Sequence, residues 1–248
     1  VIFYGLAVPS NNTVTADSPL FKPAFRDVWT DYDPDQANRL LDAVGLDQRD
    51  SHGVRLLPDG RRAELIMETA GQTTEEVDAS QLIADSWRKV GLALFVKPMQ
   101  LEVLRNRIYA GETVLSMAPG VDNGIPTADM SPGEFVPVEQ NKYQWPKWGQ
   151  YYQTKGEAGE PVDLPQARAL LTALAAWEDA EGRAARVSAW HEILAINAEQ
   201  QFTIGLVNGV PQPVVARGTL RNVPEKGLYN YEPGAHFGIH RPDTFWFE

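Results

Sequence analysis

Cysteine is absent from the 248 residues, which excludes a disulfide framework and any thiolate metal site but leaves the redox compartment open. Basic residues are few beside acidic ones, 22 against 33 for a formal charge of -11. No Lys/Arg stripe is present to neutralise a phosphate backbone, so nucleic acid is not expected as a partner. No apolar run approaches the length of a membrane span. The first residues, VIFYGLAVPS, lack the charged leader of a signal peptide. A start in the middle of an apolar segment is expected of a fragment whose targeting signal lies elsewhere.

Local signatures of catalysis are missing too: GxSxG, HExxH and the Walker loop do not occur. The histidines, His52, His191, His236 and His240, are scattered except in HFGIH. There Gly234, Gly238 and Pro242 argue against the helix that would put His236 and His240 on one face, so no metal site is expected. Neither a catalytic group nor a cofactor is assigned. Carboxylates near the middle of the chain, Glu102, Glu112, Asp122, Asp129 and Glu134, would suit a glycosidase only as a pair at a fixed separation. Each reads first as a solvated surface group.

What is present is an ordinary globular composition, with 43% hydrophobic and 22% charged residues, enough for one substantial core or two small ones. YDPDQANRLLDAVGL carries both ends of a helix: Asp33 as N-cap, Pro34 at the first helical position, Gln36 completing a capping box and Gly45 at the left-handed end. Ala37, Leu40, Leu41 and Val44 form its expected buried face. AELIMET then reads as a strand. Thr73 and Glu76 open a second helix through Ile83, Trp87 and Val90, ended by Gly91, before the strand LALFV. A third helix, through Leu101, Leu104 and Ile108 to Gly111, leads to the strand TVLSMA. Alternation of this kind predicts an α/β fold with a parallel or mixed sheet flanked by helices.

From Pro119 to Leu164 the periodicity disappears, and so long a segment without it points to a functional loop. Within it, QWPKWGQYYQTKG sets Trp145, Trp148, Tyr151 and Tyr152 among prolines, glycines and lysines. Such rings either pack the loop or receive a ligand by stacking, with nearby polar groups fixing orientation. The candidate ligand contacts are Asn12, Asp122, Asn123, Trp145, Trp148, Gln150 and Tyr151. Two helices follow, one through Leu170, Leu174 and Trp177 and one through Val187, Trp190 and Leu194, then the strand candidates FTIGLV and PVVAR. Trp87, Trp177 and Trp190 are expected in the core, and the tail from Arg221 reads as extended chain.

YDPDQANRLLDAVGL, the R-x-x-DG turn after it and E-x-x-DASQLIADSWRKVGL together resemble the C-terminal lobe of the family 5 extracellular solute-binding proteins, and GLAVPS resembles the segment entering that lobe. The resemblance covers residues 5–96. It implies a periplasmic-binding-protein type II-like lobe of a two-lobed, monomeric and periplasmic receptor. Such a receptor would bind an oligopeptide, opine, oligosaccharide or similar solute and deliver it to an ABC permease in the inner membrane, without catalysis. Residues 1–248 would be one lobe, with about 221–248 returning to the other. Asp122 falls near the family's first cleft acid, although the Asp-Tyr-Pro-Asp-Pro-like motif is absent. A carbohydrate-active hydrolase and an aromatic protein-interaction module are the alternatives.

Overall fold

The computed structural model describes residues 2–118, 120, 125–210, 213–227 and 241–248. In chain order, β1 (Val8–Pro9), α1 (Pro23–Arg26) and α2 (Pro34–Ala43) precede an alternating unit of β2 (Glu64–Thr69), α3 (Thr74–Lys89), β3 (Ala93–Pro98), α4 (Leu101–Ala110) and β4 (Leu115–Ser116). Helices α5 (Pro146–Gln153), α6 (Pro165–Glu178) and α7 (Arg183–Gln200) follow, then β5 (Val207–Asn208), β6 (Leu220–Arg221) and β7 (Trp246–Phe247).

The alternating unit makes a three-stranded parallel sheet of order β3-β2-β4. Period-two alternation gives its strands two unlike faces. Leu65, Met67, Leu94 and Val96 pack with Leu115 and Met117 against Ala84, Ile83 and Trp87 of α3. Between them, Ile66 and Phe95 point the other way and remain 51% and 53% exposed. Glu68 also turns away from α3, yet it is buried. Arg107 of α4 donates Nε to both its oxygens at 3.0 Å, Thr113 Oγ1 donates at 2.7 Å, and Lys97 Nζ stands 3.6 Å away. Burial alone would raise the Glu68 carboxyl, but these donors and charges outweigh it and hold it below the usual glutamate value.

The larger core lies among the helices. Leu170, Ala173 and Leu174 of α6 meet Trp190, Ile193 and Leu194 of α7, and Val14, Leu20, Phe25, Phe135 and Val136 close over them. Two indoles tie the irregular chain to this hairpin. Trp190 Nε1 donates to the Met130 carbonyl at 3.0 Å, and Trp177 Nε1 to that of Ala128 at 2.7 Å. Trp190 is fully buried as the sequence predicts, while Trp177 and Trp87 pack half-buried at the margins of their clusters.

Several expectations need correction. No residue of α2 is buried, and Leu40 and Val44, assigned to its inner face, are 45% and 71% exposed. The helix is mounted by its polar side. Arg55, 1% exposed, reaches Asp42 Oδ1 at 2.5 Å, Asn38 Oδ1 at 2.7 Å and the Val90 carbonyl at 2.7 Å, and also bonds the Leu46 carbonyl. Both capping boxes are half-made: Asp33 and Thr73 accept the expected backbone N–H, but Gln36 turns to Arg39 and Glu76 to Thr69 and the Gly71 and Gln72 amides.

TVLSMA shrinks to the two paired residues of β4, and of FTIGLV only Val207 pairs, joining Asn208 in β5 antiparallel to β1. Val214 and Val215 of PVVAR lie outside any strand and are exposed. The tail is more regular than expected, since Leu220↔Phe247 and Arg221↔Trp246 pair as an antiparallel ribbon. His236 and His240 lie outside the described residues.

Candidate functional site

The aromatic stretch is not a bare loop. Pro146 to Gln153 form α5, with proline at the first helical position, where its missing N–H costs no hydrogen bond. The helix is seated through glycine: a Cβ on Gly149 would lie 2.1 Å from the Glu139 carbonyl oxygen, and one on Gly159 would lie 2.4 Å from that of Lys147. Only a residue without a side chain permits so close a backbone approach. The chain preceding α5 is held by Lys142, which bonds Glu134 and lies 3.5 Å from Glu139. Burial would lower this ammonium, but the two carboxylates outweigh it and raise it.

Trp145, at the N-cap, has φ 44° and ψ 43°, a left-handed conformation that is costly for a bulky residue unless its surroundings hold it. They do. Its ring meets Phe202 edge-on at 5.2 Å and 71°, and lies offset over Trp148 at 6.3 Å and 22°. Its Nε1–H is buried and has no acceptor among the described residues.

Next to Phe202 along the chain, Thr203 Oγ1 accepts from Asn12 Nδ2 at 3.0 Å. The two segments lie in direct backbone contact, since a Cβ on Gly205 would come within 2.4 Å of the Asn12 nitrogen. Asn12 also adjoins the segment leaving β4: its Oδ1 would be 3.7 Å from a Cβ on Gly120. β4 runs parallel to β2, so this segment leaves the sheet at its C-terminal edge, where open α/β sheets receive ligands.

Three expected contacts, Asn12, Trp145 and Trp148, thus reach adjoining residues of one segment, the two indoles through Phe202 and Asn12 through Thr203. Gln150 and Tyr151 do not join them. The Tyr151 hydroxyl lies by Gly156, the Gln150 side chain lies by Gly159, and Lys147 Nζ is 3.5 Å from Gln150 Oε1. Both face the turn after α5. Asp122 and Asn123 lie outside the described residues. Phe202 and Thr203 were missed because FTIGLV reads as a buried strand, and nothing local marks its first two residues as partners of distant Trp145 and Asn12.

Trp145 and Phe202 pack, half-buried, on the larger core, and Asn12 holds its carboxamide on Thr203; indole rings and a carboxamide are groups suited to stacking and hydrogen bonding. Among the described residues no cluster of three or more His, Asp or Glu could hold a metal ion. No helix there is long and apolar enough to cross a membrane.

Comparison with known proteins gives the fold a lineage. The model of the bacterial extracellular solute-binding proteins, family 5 (middle region), matches residues 1–142. Among solved structures, the oligopeptide-binding protein OppA superposes with a TM-score of 0.73 at 26% identity, covering 90% of this chain and 37% of its own. The periplasmic binding protein MelB of Agrobacterium fabrum C58, in complex with stachyose, gives 0.65 at 14% identity, covering 82% of this chain and 29% of its own. AppA of Bacillus subtilis, an oligopeptide-binding protein holding a nonapeptide, gives 0.61 at 12% identity, covering 100% of this chain and 44% of its own. The chain thus spans less than half the length of each of these structures. No curated protein matches the sequence. The sheet, its flanking helices and the match over residues 1–142 agree: the chain belongs to the family 5 bacterial extracellular solute-binding proteins.

Proposed function

We propose that residues 1–248 are the C-terminal lobe of a two-lobed receptor that captures a peptide-like or similarly sized polar solute and delivers it to an ABC permease. Two neighbouring sets of contacts support this reading: Trp145 stacked on Trp148 and packed on Phe202, and Asn12 bonded to the next residue, Thr203, beside the segment leaving β4. Asn12, Trp145 and Trp148 line one wall of the cleft. By their place in the sequence after β4, Asp122 and Asn123 are kept as proposed ligand contacts. The relatives are named for oligopeptides or hold stachyose, and both kinds of solute present flat faces with hydrogen-bonding edges. Solute bridges the two lobes and favours the closed state through contacts made only there; no covalent step is involved. A periplasmic location follows from this role, as does the return of about residues 221–248 to the other lobe.

The test uses the receptor purified from its host with its native flanking sequence. Small molecules released by denaturation are identified by mass spectrometry, and their affinity is measured by calorimetry. Trp145→Ala, Trp148→Ala and Asn12→Ala each lower affinity about tenfold, equivalent to about 1.4 kcal/mol. Unchanged affinity in all three, with the fold intact, would remove these side chains from the wall.

A further inference from the structure

Asn208 ends β5, opposite Val8 of β1, and is followed by Gly209 with φ +66°. The Gly209 N–H donates to the Asn208 Oδ1 at 2.6 Å. The backbone nitrogen is therefore already held beside the carboxamide whose carbon it must reach to close a five-membered ring, so little chain movement separates it from that carbon. Gly209 is exposed, and a Cβ there would meet nothing within 4 Å, so water and base reach the pair. Asn208 is the one asparagine among the described residues that precedes glycine; Asn123, which also does, lies outside them.

We infer that Asn208 is a site of self-modification by deamidation. The Gly209 nitrogen loses its proton to solvent base and bonds to the Asn208 Cγ. The bond from Cγ to Nδ2 breaks, and ammonia leaves with a proton from water, closing a succinimide ring. A second water then opens the ring. Attack at Cγ gives aspartate; attack at the backbone carbonyl carbon gives isoaspartate, in which the main chain runs through the side-chain carbon. The net change consumes one water and releases one ammonia, with no oxidant, partner or solute.

The position gives the change a consequence. The β1–β5 pairing consists of Val8↔Asn208 and Pro9↔Val207, and Pro9 has no N–H to contribute. Isoaspartate lengthens the backbone within this short pair and misaligns it. Either product adds a negative charge to a chain whose formal charge is already -11.

The folded chain is incubated in warm, mildly alkaline buffer, digested with trypsin, and the peptide of residues 187–217 is sequenced by mass spectrometry. Asn208 converts to aspartate and isoaspartate at a rate that rises with pH and at least matches that in the urea-unfolded chain. Asn197, in the same peptide but followed by Ala198, stays intact. Gly209→Ala slows conversion by roughly ten- to a hundredfold, the scale on which displacing an attacking atom by about 1 Å acts. If Asn208 persists in the folded chain while the unfolded chain converts, or if G209A converts at the parent rate, the inference is overturned.

Discussion

Replacing Gly149 by alanine separates two physical arguments of opposite sign. In an exposed helix interior the change stabilises by about 1 kcal/mol, because alanine loses less backbone freedom on folding. Here the new Cβ would stand 2.1 Å from the Glu139 oxygen, 2.2 Å from its carbonyl carbon and 2.8 Å from the Gln140 nitrogen. Relief of roughly 1 Å is needed for ordinary contact. All the obstructing atoms are backbone, so no side chain can swing aside and α5 must lift from the 139–140 segment. Overpacking costs about 1–3 kcal/mol, and fixed backbone on one side puts this case toward the upper end. After the helical gain is subtracted, G149A loses about 2 kcal/mol. Urea unfolding followed by tryptophan fluorescence measures the loss. Near-ultraviolet circular dichroism reports the second effect, since the Trp145–Trp148 pair rides on the displaced helix. A variant as stable as the parent, with an unchanged aromatic signal, would refute the close seating of α5 and weaken the placement of the site.

Glu68→Gln removes the charge that gathers Arg107, Thr113 and Lys97, and loses about 2–3 kcal/mol at neutral pH, the scale of hydrogen bonds to a charged group. Because the folded carboxyl is held below its ordinary value, the parent has the full benefit above about pH 4.3. It loses that benefit as pH falls through the depressed value, where the unfolded chain already binds the proton. Denaturant titrations from neutral to acid pH should therefore show parent and E68Q converging on acidification. Trp190→Ala removes a fully buried ring packed edge-on to Phe135 and leaves the Met130 carbonyl without its donor, a loss of about 3–5 kcal/mol. Trp190→Phe keeps most of the volume but not the N–H, and loses about 1–3 kcal/mol. In urea titrations, W190F as stable as the parent would contradict the role given to the hydrogen bond, and equal losses in the two variants would contradict the role given to the packed ring.

The α/β alternation was legible because its signals are local. Asp33 and Thr73 at the N-caps, Gly45, Gly91 and Gly111 with φ between +76° and +87° after the helices, and period-two apolar strands each act within a turn or two of chain. Those signals fixed the order of elements and the family likeness. They could not tell which face of α2 is buried. Its amphipathic pattern is real, but the deciding partner is Arg55, a buried cation whose carbonyl and carboxamide acceptors lie in three different segments. A hydrophobic pattern assigns an inner face by default and has no means of anticipating that a polar face is the anchored one.

The aromatic stretch divides in the same way. Its composition announced a cluster of rings, and QWPKWGQYYQTKG by itself determined that Trp145 and Trp148 lie three residues apart around a proline. That proline begins a helix because the seating of Gly149 on the 139–140 backbone and of Gly159 on the helix itself favours one, and propensity in so short a segment cannot. Tertiary structure then sorted the candidates. It placed Asn12 beside Thr203, 191 positions away, and Trp145 against Phe202, while turning Gln150 and Tyr151 toward the turn that follows. Helix ends and strand periods depend on neighbours in the chain, so sequence determined them. A site is made of groups that only folding brings together, so its membership was decided by packing.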